Sequence, residues 1–213
     1  MSELSEFYAS AEAYDLAFSY RNIDKEVAFL RSAYERYARN TNTGKPHSVL
    51  ELASGPGKHA MAFARAECHA VAIDLSPAMC QYGERIAKKS NLNVQYIPEN
   101  IINFRVNKKF DLAIMMLDSI CHITNKHDLV RHLFSVAVSL NPGGLYIIEA
   151  GHNDNNMNTT KSEWEIITDN SHIGVSWRDI RRYKYDRILT EATLRGFIRE
   201  IKINNVDTFI RRA

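Results

Sequence analysis

Cysteine is scarce in this 213-residue sequence. Cys68, Cys80 and Cys121 form no CxxC pair, so neither a disulfide framework nor a thiolate metal knuckle is expected, and reduced intracellular thiols are. Long apolar runs are missing, and none approaches the roughly 20 residues that span a bilayer. The opening MSELSEFYAS carries acids where a signal peptide carries a hydrophobic core. Charge of one sign is also missing. The 27 Lys and Arg against 25 Asp and Glu leave +2, too little to draw the chain to nucleic acid or an acidic membrane. No internal repeat or low-complexity stretch occurs. What remains, 45% hydrophobic and 24% charged, is ordinary globular composition with material for one full core. A cytoplasmic protein is expected.

The residues that are present alternate in period. Ile23, Val27, Leu30, Tyr34 and Tyr37 recur at helical spacing and predict a helix over 23–39. A loop containing Gly44 and Pro46 follows. Strands are then predicted at 48–52, 69–75, 94–97, 110–117 and 145–150. Helices are predicted from Lys58 to about Glu67, from the Ser76 cap and Pro77 to about Lys89, and from Asp128 to Leu140, closed by Asn141-Pro142-Gly143-Gly144. Strands alternating with helices build βαβ units, hence a parallel sheet covered on both faces. After the polar stretch 151–160, the pattern changes to three antiparallel strands within 164–205. Basic residues accumulate there from Arg178 onward, either as a solvated sheet face or as a lid facing an anionic group. The domains expected are an N-terminal lid segment (1–40), a Rossmann-like core (41–150) and an antiparallel acceptor-side or dimerisation region (151–213).

Ligands of such sheets bind at the carboxyl ends of the strands. The first turn, Ala53-Ser54-Gly55-Pro56-Gly57, has the glycine spacing of a nucleotide site, and Asp74 ends the second strand where an acid can hold two ribose hydroxyls. Both features suit NAD and S-adenosylmethionine (SAM) alike. Glu51 separates them. A carboxylate beside this turn repels a pyrophosphate but attracts the ammonium and sulfonium of SAM. The competing reading is that Glu51 caps local backbone amides and meets no ligand.

VLELASGPGKHA, VAIDLSPAM, FDLAIMMLDSICHI and NPGGLYIIE together resemble the motifs of class I SAM-dependent methyltransferases, over residues from about 14 to 150. AYDLAFSYR and LDSICHI look most like small-molecule N-methyltransferases, the amino-sugar N,N-dimethyltransferases and, more distantly, glycine N-methyltransferase. The resemblance implies that Ala53, Ser54, Gly55 and Gly57 let the backbone approach the methionine part of SAM, with Glu51 close by. It implies that Asp74 holds the ribose, that Leu75, Met79 and Ile101 pack on the adenine, and that Leu117 lies under the sugar and sulfonium. The family's usual Gly-Asp is here Glu99-Asn100, whose amide oxygen can also accept from the adenine amino group. Tyr14 and Arg21 would close over the cofactor, Arg21 pairing with its carboxylate. His122 resembles the histidine placed beside the acceptor amine and would take its proton, with Tyr14 shaping the sulfonium pocket or holding the acceptor. A packed loop histidine, a core tyrosine and a surface arginine are the competing readings of these three. Asp118 could orient the substrate or the lid.

The expected function is methyl transfer from SAM to a small-molecule amine, leaving S-adenosylhomocysteine (SAH). A small-molecule O-methyltransferase and a non-catalytic SAM-binding protein are the alternatives, and a nicotinamide-dependent oxidoreductase is a third reading opposed by Glu51. No metal site is expected, because His122, His127 and His132 are five apart. The seven-stranded family fold ends in a hairpin for which the sequence leaves no chain, so an open sheet edge and a homodimer through the C-terminal strands are expected.

Overall fold

The structure, a computed structural model, describes residues 10–39, 44–151, 161–183 and 187–212. The chain divides into two compact units. One holds Asn22–Ile120 and Asn125–Ala150; the other gathers Met1–Arg21, Cys121–Thr124 and Gly151–Ala213.

The first unit is a five-stranded parallel sheet, β1 (Ser48–Leu52), β2 (His69–Asp74), β3 (Val94–Pro98), β4 (Phe110–Met115) and β5 (Leu140–Ile148), in the order β3-β2-β1-β4-β5. It carries the helices α2 (Ile23–Tyr37), α3 (Lys58–Arg65), α4 (Pro77–Lys89) and α5 (Lys126–Ser139). The strand period of two sorts β1 between two cores. Val49 joins Val27, Leu30, Tyr34 and Phe63 on the side of α2 and α3. Leu50 and Leu52 join Val71, Ile73, Phe104, Phe110, Met115 and Val136 on the other. Three helices start on side-chain caps: Asn22 accepts from Lys25 N, Ser76 from Met79 N and Asn125 from Asp128 N. The amino ends of β1, β4 and β5 meet at Asp111, whose carboxylate accepts from His47 N, Ser48 N, Ser48 Oγ and Asn141 Nδ2.

Two features of this unit differ from the expectation. Asn141-Pro142-Gly143-Gly144 does not merely end a helix. It lies inside β5 as a bulge, Leu140 pairing with Phe110 and Leu145 with Leu112. Gly143 is required there: it sits at φ 86°, and a Cβ would meet the Arg39 carbonyl oxygen at 1.8 Å. Strand β4 also stops at Met115, before a turn over Met116–Ser119.

The second unit contains α1 (Ala11–Ala17) and an antiparallel sheet of four strands, β6 (Lys161–Thr168), β7 (Ser171–Tyr183), β8 (Arg187–Ile198) and β9 (Ile201–Arg212), paired in sequence order. Three strands are predicted and four are found. The segment read as one strand over 188–205 folds back at Arg199-Glu200, both left-handed at φ 46° and 72°. A two-residue hairpin wants Asn-Gly or its like there, so Arg-Glu carries no visible signal. One face of this sheet buries Ile173, Val175, Ala192 and Leu194, and α1 packs on β6, β7 and β8 through the same unit. Trp164 Nε1 donates to the Ala17 carbonyl at 2.8 Å, its ring lies edge-on to Phe18, and Arg199 pairs with Glu12. No helix among the described residues is long and apolar enough to cross a membrane.

Candidate functional site

The carboxyl ends of β1, β2 and β4 carry most of the predicted site residues. After β1, Ala53, Gly55 and Gly57 are all left-handed, at φ 50°, 52° and 74°. This run folds the chain tightly, with Ser54 N donating to Ile73 O at 3.0 Å and Gly57 N to Ser54 O at 2.9 Å. Tyr96 of β3 braces the turn. Its hydroxyl donates to Pro56 O at 3.0 Å, and a Cβ on Gly57 would meet its ring at 2.8 Å.

Asp74 reaches back to this turn. Its Oδ2 accepts from Gly55 N at 2.7 Å and its Oδ1 from Ser76 N at 2.8 Å. Burial pushes its carboxyl above the ordinary range, against the pull of those two N–H groups. A carboxylate has about four acceptor positions, so each oxygen retains one for a hydroxyl. Leu75 beside it is 45% exposed, an apolar side chain left open at the carboxyl edge, whereas Met79 is buried in α4. These residues suit a ribose and a flat apolar ring. Asn100 Oδ1 accepts from Ile102 N at 2.9 Å, an Asx turn that occupies one lone pair of the oxygen assigned to adenine.

Glu51 extends the sequence reading. On β1 it shares a face with Val49, toward α3, and it is 3% exposed. Its Oε2 accepts the Ala60 N–H at 2.7 Å, and its Oε1 accepts from His59 Nδ1 at 2.9 Å. Gly57, the N-cap of α3, has no side chain to offer the helix, and Glu51 supplies that acceptor from the neighbouring strand. His59 Nε2 meets Glu26 Oε2 at 2.8 Å, so one buried imidazole bridges two carboxylates. Burial pulls the His59 pKa down, but the hydrogen bonds and charges of Glu51 and Glu26 prevail and raise it. Glu51 thus caps α3 through Ala60 N, the contact of the competing reading, and is bridged to His59.

After β4 the turn Met116-Leu117-Asp118-Ser119 has both central residues left-handed, Leu117 at φ 59° and Asp118 at φ 55°. Ser119 N closes it on Met116 O at 3.2 Å. Each such residue costs about 1–2 kcal/mol relative to the right-handed form. His132 of α5 is another buried group that sequence reasoning missed. It is fully buried, donates from Nδ1 to Ile101 O and accepts at Nε2 from the Tyr146 hydroxyl, each at 2.8 Å. Burial lowers its pKa, and as the neutral ring it fixes the loop that carries Asn100 and Ile101. Only spatial neighbours give His59, Tyr96 and His132 these partners, which lie 8 to 40 residues away along the chain.

Glu51, Ala53, Ser54, Gly55, Gly57, Asp74, Leu75, Met79, Asn100, Ile101 and Leu117 all belong to the parallel-sheet unit, while Tyr14, Arg21 and His122 belong to the other. Tyr14 lies in α1 with its ring 4.6 Å from that of Phe18. Arg21 follows that helix, its N–H on Phe18 O. His122 ends a short 3-10 turn, Ser119–His122, and is exposed.

Comparison with known proteins adds to this geometry. Residues 49–144 match a family described as a methyltransferase domain. A dTDP-3-amino-3,4,6-trideoxy-alpha-D-glucopyranose N,N-dimethyltransferase of Streptomyces venezuelae is 25% identical over 139 residues, 65% of this chain and 56% of that protein. The match therefore spans little more than half of that relative's length. The crystal structure of Streptomyces venezuelae DesVI has the same fold, with a TM-score of 0.75 at 20% identity over 95% of this chain and 83% of that one. So has SAM-bound CalS10, an amino pentose methyltransferase from Micromonospora echinaspora, with a TM-score of 0.73 at 14% identity over 100% of this chain and 85% of that one. The parallel sheet with its flanking helices thus has the Rossmann-like methyltransferase fold. Residues 49–144 are similar to a methyltransferase-domain family, and the chain shares the fold of solved methyltransferases.

Proposed function

We propose that this protein transfers a methyl group from SAM to the amine of a small molecule, with an amino sugar as the acceptor class. The observation that carries the cofactor reading is the Ala53–Gly57 turn closed on Asp74, whose carboxylate keeps acceptor capacity beside the exposed Leu75. The acceptor class rests on the relative named as an N,N-dimethyltransferase of an aminodeoxy sugar.

The cofactor supplies a methyl group activated on a sulfonium. The residues of this chain bind, align and exclude water. In this reading Asp74 holds the ribose, Leu75, Met79 and Ile101 enclose the adenine, Asn100 meets its amino group, and Leu117 supports the sugar. Ala53, Ser54, Gly55 and Gly57 receive the methionine part near Glu51. The acceptor amine would be held beside the methyl group and would receive it, with SAH as the leaving product. His122 takes the proton that the new ammonium releases, while Tyr14 and Arg21 cover the ligand. His122 could equally deprotonate a hydroxyl, which keeps the O-methyltransferase alternative open; a non-catalytic SAM-binding protein is the other. A cytoplasmic location accords with three free cysteines, and pairing of two copies through the C-terminal strands is the partner arrangement we favour.

Calorimetric titration with SAH, with NAD in parallel, tests the cofactor. Micromolar SAH binding that weakens about 100-fold in Asp74→Ala is expected, since two hydroxyl bonds to a charged group are lost at about 1.5 kcal/mol or more each. Binding of NAD instead of SAH would overturn the reading. Turnover on a panel of amino sugars and their hydroxyl analogues then separates amine, hydroxyl and no acceptor.

A further inference from the structure

The turn after β4 is strained twice over, and neither Leu117 nor Asp118 is a residue that favours the conformation as glycine does. Something must hold it. Leu117 N donates to Glu149 Oε2 at 2.9 Å. Glu149 follows β5, the strand next to β4, and its own N–H donates to Met115 O at 2.9 Å. One residue therefore grips both sides of the place where β4 turns: its backbone fixes the last strand residue, and its carboxylate fixes the first strained one. Ser119 closes the same turn from the other end, its Oγ donating to Met116 O at 2.7 Å. A backbone N–H to carboxylate bond is charge-assisted and stronger than a neutral one. It exists only while Leu117 keeps its amide directed at β5.

We propose that Glu149 is a positioning residue for the cofactor site, its carboxylate holding the Leu117–Asp118 turn in the left-handed form that places Leu117 against bound SAM. This rests on the assignment of Leu117 to the cofactor site. Glu149 touches no reacting atom and acts through the Leu117 amide. The conformation is a tertiary property: without the clamp, the turn relaxes toward right-handed backbone and moves the floor of the site.

The test compares Glu149→Ala, Glu149→Gln and Glu149→Ala combined with Asp118→Gly, on folded full-length protein. SAH affinity is measured by calorimetry, and hydrogen exchange at the Leu117 amide without ligand. Glu149→Ala should weaken SAH about tenfold or more and raise exchange at Leu117 by a similar factor. Glu149→Gln, which keeps an acceptor oxygen, should stay within about threefold of the parent. Asp118→Gly, which removes the strain at the second turn position, should restore most of the affinity lost in Glu149→Ala. An unchanged SAH affinity in folded Glu149→Ala would overturn the proposal. So would Glu149→Gln failing as badly as Glu149→Ala, which would assign the effect to charge and not to position. If the parent protein binds no SAH, the cofactor reading fails by itself. The clamp is then judged by exchange alone, and a Leu117 amide equally protected in Glu149→Ala would remove it.

Discussion

The two sheets of this protein are held by different means. In the parallel sheet the central strands are buried on both faces, and each of Val49, Leu50, Leu52, Leu112, Ile114 and Met115 is fully buried. In the antiparallel sheet one face is buried and the other is wet: Ile173 and Val175 are inside, but Ile167 is 70% exposed and Phe197 45%. The parallel-sheet unit places five left-handed residues at its carboxyl edge, Ala53, Gly55, Gly57, Leu117 and Asp118, where side chains from other elements restrain the backbone; Gly44, Glu67, Asn91 and Gly143 are left-handed elsewhere in the unit. In the antiparallel sheet the irregular pair is the Arg199-Glu200 hairpin, which connects strands and carries no predicted site residue. Strain at the edge proposed to bind ligand accords with a rigid scaffold presenting a shaped site.

The sharpest way to break this contrast is to remove core volume. Phe63→Ala, at a fully buried ring between α3 and the parallel sheet, should cost about 3–5 kcal/mol in denaturant unfolding. Ile167→Ala, on the wet face of the antiparallel sheet, should change stability by less than about 0.5 kcal/mol. Comparable losses would mean that the second face is covered in solution.

Next in size is His59. Its folded pKa is raised by Glu51 and Glu26 despite the opposing effect of burial. A raised folded value means that the bridge contributes fully below the ordinary histidine pKa of about 6.5, and that the contribution is lost as pH rises through the folded value. His59→Gln should therefore lose about 1.5–3 kcal/mol near pH 6 and progressively less at alkaline pH. A stability difference between parent and variant that does not shrink between pH 6 and 9 would show that no protonated bridge exists.

Smallest is Tyr96→Phe. It deletes one hydrogen bond to Pro56 O and keeps the ring against Gly57, for a loss of about 1 kcal/mol. Because the bond braces the glycine turn, SAH affinity should fall several-fold while the unfolding midpoint moves by only a few degrees. Stability lost without any change in SAH affinity would make Tyr96 a packing residue only.

Much of the parallel-sheet unit was legible in the sequence. β1 is found over 48–52 as predicted, and α4 begins on Ser76 and Pro77 and ends at Lys89, because its cap, its first-turn proline and its period all agree. Less was legible where a local signal was weak or pointed the other way. The Arg199-Glu200 hairpin lacks turn residues. In α5, Val130, Phe134 and Val138 are exposed while His132, Ser135 and Ser139 are buried. Much of the apolar surface of that helix faces away from the sheet, while Val136 reaches the core beside polar residues that are satisfied by Ile101 O, Ile102 O and Tyr146.

The sequence by itself determined the alternation of strands and helices, the glycine turn and the acid that closes it, since each depends on residue types within one turn or strand. Only the tertiary structure decided what Glu51, His59, Tyr96, His132 and Glu149 do. A buried polar side chain takes its role from the donor or acceptor that meets it, and for these five the partner comes from another element.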